Sequence, residues 1–364
     1  MTPVLLTERP TSLVTAPIED ATRREFITGV GAAALAAAFL AACGDEDAGS
    51  TSTPEARSVQ HQHGTTEISG IPERIVTVGW TEQDAVLALG IVPVGTTEWF
   101  GDHPGAIHPW AQDELGDTPP PEVLSYADGI QFERIAALQP DLILALYVPF
   151  GLTAEDYERL SEIAPTIAPP AGVAEGGVSW QELTRIVGIA VGQHAEAERI
   201  VADVEARFAA AKEEHPEFVG ALGVNAYPTP EGNFQAYPSP DPGGRLMTEL
   251  GFVVPPAIVD LAAGAAWVDI SGEQASLFDI DVVLWLVDDE VGRDRLLNYP
   301  LYGGLDVAEQ GRHVFLMYDG PTADLASACS IQTVLSLPFL LDHLVPMLAA
   351  ALDGDPSTEA AVDA

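Results

Sequence analysis

"IPERIVTVGWTEQDAVLALGIVPVG", residues 71–95, decides the fold of this chain. Within it, Arg74–Gly79 is a short apolar run suited to a buried strand. Trp80 follows. Thr81-Glu82-Gln83-Asp84 then reads as a capping box, opening a helix that closes on Gly90. "IVPVGTT", residues 91–97, reads as a second strand, "FERIAAL", 132–138, as a helix, and "DLILALY", 141–147, as a third strand. Strand, helix and strand in alternation signal a parallel sheet with covering helices.

A second set lies downstream. Phe218–Tyr227 contains a strand, "GGRLMTELG", 243–251, is a helix stopped by Gly251, and "FVVP", 252–255, starts another strand. Ile130, Glu133, Asp141, Leu144 and Leu146 recur at one constant offset, without a gap, as Ile270, Glu273, Asp281, Leu284 and Leu286. The agreement with element order makes two related lobes the better reading. Between the sets, Trp180–Glu214 opens on a capping box from Ser179 to Glu182. Leu183, Ile186, Val187, Ala190, Val191, Ile200, Val201, Val204 and Phe208 then follow helical spacing until His215-Pro216. A continuous helix there would span on the order of 50 Å, and Gly188 and Gly192 are its weak points. The expected architecture is α/β: two Rossmann-like lobes with parallel sheets, joined by one long helix, with the ligand cleft between them. The expected boundaries are a signal over 1–42, a flexible tether over 43–58, an N-terminal lobe over 59–179, the linking helix over 180–215, a C-terminal lobe over 216–352 and a disordered tail over 353–364.

The N-terminal segment "TRREFITGVGAAALAAAFLAACGDED", residues 22–47, contains Gly29-Val30-Gly31, which imitates a dinucleotide-binding turn. That reading needs a buried strand where Arg23, Arg24 and Glu25 stand, so it fails. An export signal accounts for the whole stretch: a charged start, an uncharged run from Phe26 to Ala42, then small residues before Cys43. Arg23-Arg24 in this setting resembles the twin-arginine signal, and Leu40-Ala41-Ala42-Cys43 resembles the lipobox of bacterial lipoproteins. The resemblance implies cleavage before Cys43 and its lipidation; an uncleaved anchor is the alternative. Either way the protein is expected to work outside the cytoplasm, held to the membrane.

Composition narrows the partners. Asp and Glu total 55 against 15 Lys and Arg, a net charge of −40, which repels nucleic acid and anionic lipid. Apolar residues make up 47% of the chain, enough to bury real cores. With Cys43 lipidated, Cys329 has no partner, so the exported chain folds without a disulfide. It is expected to act as a monomer.

In open parallel sheets, ligands bind beyond the C-terminal strand ends. Trp80, Trp99, Tyr147, Tyr227 and Tyr318 gather there, and Trp110, Tyr126, Tyr237, Trp267 and Tyr302 fall in loops. Each serves equally as a roof over its lobe. Trp285, inside "DVVLWLV", reads as core. Arg245 at a helix start, and Arg293 and Arg295 in a polar loop, are rare cations with planar donor forks suited to ligand oxygens, or to salt bridges with the abundant acids. No nucleophile elbow, zinc-protease helix, Cys pair or phosphate loop is present, so no catalytic residue is assigned. Asp102, His103 and His108 are the best metal candidates but lack further ligands in the pattern, and no metal site is assigned. His61 and His63 read as solvent-facing edge residues.

The lipoprotein signal, the two lobes and the repeated Glu-helix units resemble the substrate-binding lipoproteins of iron–siderophore ABC importers. These belong to the periplasmic-binding-protein class with a helical backbone, which also includes cobalamin and haem receptors. The resemblance runs from Val59 to Leu352, most closely at residues 71–95, at "FERIAALQPDLIL", 132–144, and at "LPFLLDHLVPML", 337–348. It implies a shallow cleft that takes a ferric siderophore, small closure, and delivery to a permease with its ATPase. It also implies that Glu133 and Glu273, one per lobe, dock onto permease arginines. As first-turn acids, both also suit the helix dipole. Ligand contacts vary in this family, so Trp80, Trp99, Tyr147, Tyr227, Arg245, Arg293 and Tyr318 rest on position alone. Scarce arginine suits a hydroxamate or mixed siderophore at least as well as an anionic catecholate. No resident cofactor is implied. A receptor for cobalamin, haem or a metal ion in the same fold, and an exported siderophore-modifying enzyme, are the alternatives.

Overall fold

The computed structural model describes residues 56–99, 101–127, 129–148, 151–173, 177–238 and 242–355. Arg23, Arg24 and Cys43 lie outside the described residues, as does the tail beyond Asp355.

A hairpin, β1 (Arg57–His61) and β2 (Gly64–Ile68), precedes the N-terminal sheet. That sheet runs β5 (Glu122–Leu124), β4 (Gly95–Thr97), β3 (Ile75–Thr77), β6 (Leu142–Leu144), β7 (Thr166–Ile167), and every pairing is parallel. Its central strands are buried on both faces, as a covered parallel sheet requires. Ile75, Leu142 and Leu144 face one cluster, with helix α1 (Glu82–Ala88). Val76 and Ile143 face the other, with α2 (Phe132–Ala137) and α3 (Ala154–Ser161). The capping box at residues 81–84 does not form: the Thr81 side chain makes no cap bond. The Glu82 and Asp84 carboxylates turn inward instead, for reasons that belong to the site. The hairpin corrects a second expectation. His61 is buried, hydrogen-bonded to Thr66 Oγ1 at 2.9 Å, and Tyr157 packs against both His61 and His63.

The connection between lobes is helical but not one rod. α4 (Trp180–Val191), capped by Ser179 as expected, ends on Gly192 at φ 76°, and α5 (His194–Glu214) begins after it. The helices cross where a side chain on Gly188 would lie 2.3 Å from the Ala197 Cβ, so glycine is required there. Most of α4 packs into the N-terminal core, with Leu183, Val187, Ala190 and Val191. The strut is α5: Ala197 sits in the N-terminal core, while Val201, Val204, Phe208 and Ala211 sit in the C-terminal one. Its 21 residues span about 30 Å.

The C-terminal sheet runs β10 (Val268–Ile270), β9 (Phe234–Tyr237), β8 (Gly223–Pro228), β11 (Val282–Val287), β12 (His313–Met317). β8, β11 and β12 are parallel. β9 is antiparallel to both neighbours, because residues 229–233 return the chain as a hairpin rather than a crossover. The strand expected at residues 252–255 is reduced to one parallel bridge, Leu222 to Val253. Around the sheet lie α6 (Pro242–Glu249), α7 (Pro256–Ala262), α8 (Glu290–Leu297), the single turns α9 (Pro300–Gly303) and α10 (Asp306–Glu309), α11 (Ala323–Ile331) and α12 (Ser336–Leu352). Trp285 is core, as expected; Tyr302, expected in a loop, is fully buried and accepts the Trp285 Nε1 hydrogen bond at 2.8 Å.

The repeat has a physical basis. Asp141 accepts the amides of Glu73 and Arg74 at 2.8 and 2.9 Å, just ahead of β3. Asp281 accepts the amide of Leu222 at 2.7 Å, just ahead of β8. In each lobe the aspartate before one central strand ties down the start of its neighbour.

Candidate ligand-binding cleft

The N-terminal wall grows out of the loop after β3. Trp80 N donates to Tyr147 O at 3.1 Å, extending the β3–β6 pairing past the strand ends. Glu82 is fully buried beneath this loop and accepts the amides of Thr81, Leu146 and Tyr147. Burial raises its pKa while the amide bonds pull it back. Gly79 is needed above it, since a Cβ there would stand 2.1 Å from Glu82 Oε1. Gln83 Nε2 donates to Trp80 O at 2.8 Å. Held this way, Trp80 stacks on Trp99 with centroids 4.5 Å apart and planes 8° apart, and Tyr147 meets both edge-on at 6.3 and 6.4 Å. Such contacts favour a rigid aromatic wall.

The opposite wall belongs to the C-terminal lobe. Tyr318, after β12, shares a 2.7 Å hydrogen bond between its hydroxyl and Ser330 Oγ on α11. Burial pushes the Tyr318 phenol up to about 12, so it stays neutral. Asn225 of β8 donates to Cys329 Sγ at 3.6 Å, and Tyr237 closes the end of β9. Trp99 and Tyr147 from one lobe, with Asn225, Tyr237, Tyr318 and Ser330 from the other, line an open pocket of about 170 Å³. A narrow fissure of about 10 Å³ adjoins it, bordered by Thr81, Tyr147, Trp180, Arg245, Gln332 and Thr333.

The structure therefore brings Trp99, Tyr147 and Tyr318 to one pocket, with Trp80 stacked against Trp99. Arg245 borders the fissure, where it donates to the carbonyls of Gly177 and Val178 at 3.1 and 3.4 Å. Tyr227 lies outside the larger pocket; its hydroxyl donates to both Asp288 oxygens at 3.0 Å, and burial and that carboxylate push its pKa to about 12. Arg293 also lies outside it, on α8, paired with Asp294 at 2.9 Å. Asn225 and Ser330 are not singled out by the sequence, and Cys329 is noted there only for its lack of a disulfide partner. A polar residue within the apolar strand run around β8 was the available signal for Asn225.

Glu133 is exposed in the first turn of α2, and Glu273 is exposed in the 3-10 turn Gly272–Phe278. His103 and His108 stand 4.8 Å apart, and His108 is buried against Trp110 with rings stacked at 4.4 Å. Burial pushes the His108 pKa down to about 3. Among the described residues, no cluster of three His, Cys, Asp or Glu side chains is placed to hold a metal ion.

The periplasmic binding protein family matches residues 75–319. The chain is 27% identical, over 62% of its length and 67% of the relative's, to a probable siderophore-binding lipoprotein of Bacillus subtilis. It is 25% identical, over 72% and 79% of the two lengths, to an Fe(3+)-citrate-binding protein of the same organism. Among solved structures it is similar to a periplasmic solute binding protein of Mycobacterium smegmatis, with a TM-score of 0.72 and 37% identity over 82% of this chain and 99% of that one. A Streptococcus pneumoniae protein solved with ferrichrome gives a TM-score of 0.71 and 28% identity over 82% and 99%.

Proposed function

Because the chain belongs to the periplasmic binding protein family, we propose that it is the extracytoplasmic receptor of an ABC importer, a binding protein that captures a ferric siderophore and hands it to the permease. The observation that carries this reading is the inter-lobe pocket itself, an aromatic, hydroxyl-bearing space. A concave aromatic lining with a few polar groups suits a small-molecule site. No arginine or lysine is among the described residues that line it, which favours a hydroxamate or mixed siderophore over a highly anionic catecholate. Trp99, Tyr147 and Tyr318 are the proposed contacts, with Trp80 as backing. Arg245, Tyr227 and Arg293 are reserved for parts of a ligand that extend beyond the pocket. The twin-arginine signal at Arg23-Arg24 and the lipid anchor at Cys43 rest on the sequence and complete the reading of an exported monomer tethered to the outer face of the membrane.

The deciding experiment is a tryptophan-fluorescence titration of the chain with ferrichrome, a ferric catecholate, ferric citrate, cobalamin and haem. Saturable quenching by a ferric siderophore at sub-micromolar concentration is expected, since Trp80 and Trp99 form the wall. Binding of cobalamin or haem alone would keep the receptor and remove the ferric-siderophore cargo. Docking is tested by reversing charge at both Glu133 and Glu273: uptake is expected to fail with ligand affinity intact. Normal uptake would discard the docking assignment.

A further inference from the structure

Asp84 is fully buried at the seam between the lobes, yet neither an ion pair nor a helix cap accounts for it. Its Oδ2 accepts Trp110 Nε1 at 2.9 Å from its own lobe and the Thr333 hydroxyl from the other, across 249 residues of sequence. Its Oδ1 has no protein partner. The Thr333 hydroxyl is also committed on its far side, accepting the Ser336 amide at 3.0 Å in the first turn of α12. Next to it Gln332 holds a left-handed backbone at φ 47°, the point where α11 turns into α12. Trp110 packs on Phe339 of α12 at 5.9 Å, so the same seam is closed by apolar contact. α11 carries Cys329 and Ser330 into the pocket wall and holds Tyr318 through Ser330. At the other end of this chain, Asp84 lies four residues from Trp80, on a turn whose other members, Glu82 and Gln83, fix the Tyr147 amide and the Trp80 carbonyl.

We propose that Asp84 is a positioning residue: through Thr333 it sets the orientation of α11 against the Trp80–Asp84 turn, and with it the gap across the ligand pocket. A buried carboxylate with two donors is a directional contact, and losing either donor leaves a charge under-paired in a buried seam. Apolar packing alone permits sliding; this pair of hydrogen bonds does not. The lobes are also tied by Arg245 to Gly177 and Val178, and by Trp180 and Gln181 to Glu249, but those bonds cluster at α6. Asp84 acts through Thr333, between α11 and α12, and α11 carries the wall residues Cys329 and Ser330.

The test is the inter-lobe distance distribution from spin labels on Glu155→Cys in α3 and Asp260→Cys in α7, both exposed, in the full chain with Cys43→Ser. Thr333→Val and Asp84→Ala are expected to shift or broaden the distribution beyond its width in the parent, and Thr333→Ser is expected to restore it. Ser336→Ala is the control: it loosens the same turn, whose Thr333 amide donates to Ser336 Oγ at 2.8 Å, without touching Asp84, and should leave the distribution unchanged. An unchanged distribution in Thr333→Val, or an equal change in Ser336→Ala, overturns the proposal. If those variants do not fold, Thr333→Ala, which removes the hydroxyl without adding bulk, decides by the same measurement. No ligand is needed, so the outcome is independent of the cargo assignment.

Discussion

The two walls of the pocket are built in different ways. On the N-terminal side, a short run from Val78 to Asp84 packs its aromatic ring against Trp99 and anchors itself on main-chain amides through one buried carboxylate, Glu82. On the C-terminal side, residues scattered from Asn225 to Ser330 meet through side-chain bonds that include Tyr318 to Ser330 and Asn225 to Cys329. A wall tied to backbone resists local change, because main-chain amides cannot turn away to find other partners. Hydroxyl, amide and thiol groups are able to exchange partners, so the contrast predicts a rigid N-terminal surface and an adaptable C-terminal one.

Substitutions at each wall break or sharpen this contrast. Glu82→Ala carries the largest expected effect, because three amides lose their acceptor in a fully buried site; a loss of about 3–5 kcal/mol in stability is expected by chemical denaturation, with ligand binding lost as well. Asp84 comes next, through pH. Burial raises its pKa from 3.8 to about 6, so the folded chain holds a proton that the unfolded chain has released. The stability it contributes is present below the unfolded value and is lost as pH rises through the folded one, about 3 kcal/mol in all. Denaturation at about pH 4 and about pH 7 should therefore show a steeper fall for the parent than for Asp84→Asn. Glu82, shifted the same way, is common to both chains and cancels. His108, held near 3 in the folded chain, takes up a proton on unfolding in this window, an effect of opposite sign that is also common to both chains and cancels. At the pocket, Trp99→Ala should weaken the bound siderophore by about 1 kcal/mol or more, measured by titration, because it removes one face of the stack. Tyr318→Phe should cost less, roughly 0.5–1 kcal/mol, since the ring stays and the hydroxyl's bond to Ser330 goes. If Tyr318→Phe proved the more damaging, the division into a rigid and an adaptable wall would be reversed.

Much of this was legible beforehand, and the reasons are local. Ile75-Val76-Thr77 and Leu142-Ile143-Leu144 are apolar runs whose burial on both faces shows directly in composition. The offset repeat announced two lobes because Asp141 and Asp281 do the same job beside equivalent strands. Aromatic residues at strand ends pointed to Trp80, Trp99, Tyr147 and Tyr318. Tyr227 and Arg293 met the same positional rule, yet one bonds Asp288 and the other pairs with Asp294 outside the pocket. Strand-end position says which side of a sheet a residue occupies, not which neighbour reaches it first.

By itself, then, the sequence determined the lobes, their order and the aromatic edge of one wall, since each follows from burial patterns within a few turns of chain. Only the tertiary structure decided the split of the linking helix at Gly192, where α5 must cross from one core to the other. It also decided the fate of Thr81-Glu82-Gln83-Asp84. A helix start with two acids reads locally as a cap facing water. Glu82 is drawn inward by amides from a strand 64 residues away, and Asp84 by a hydroxyl on the other lobe, and a carboxylate's environment is set by what folds over it.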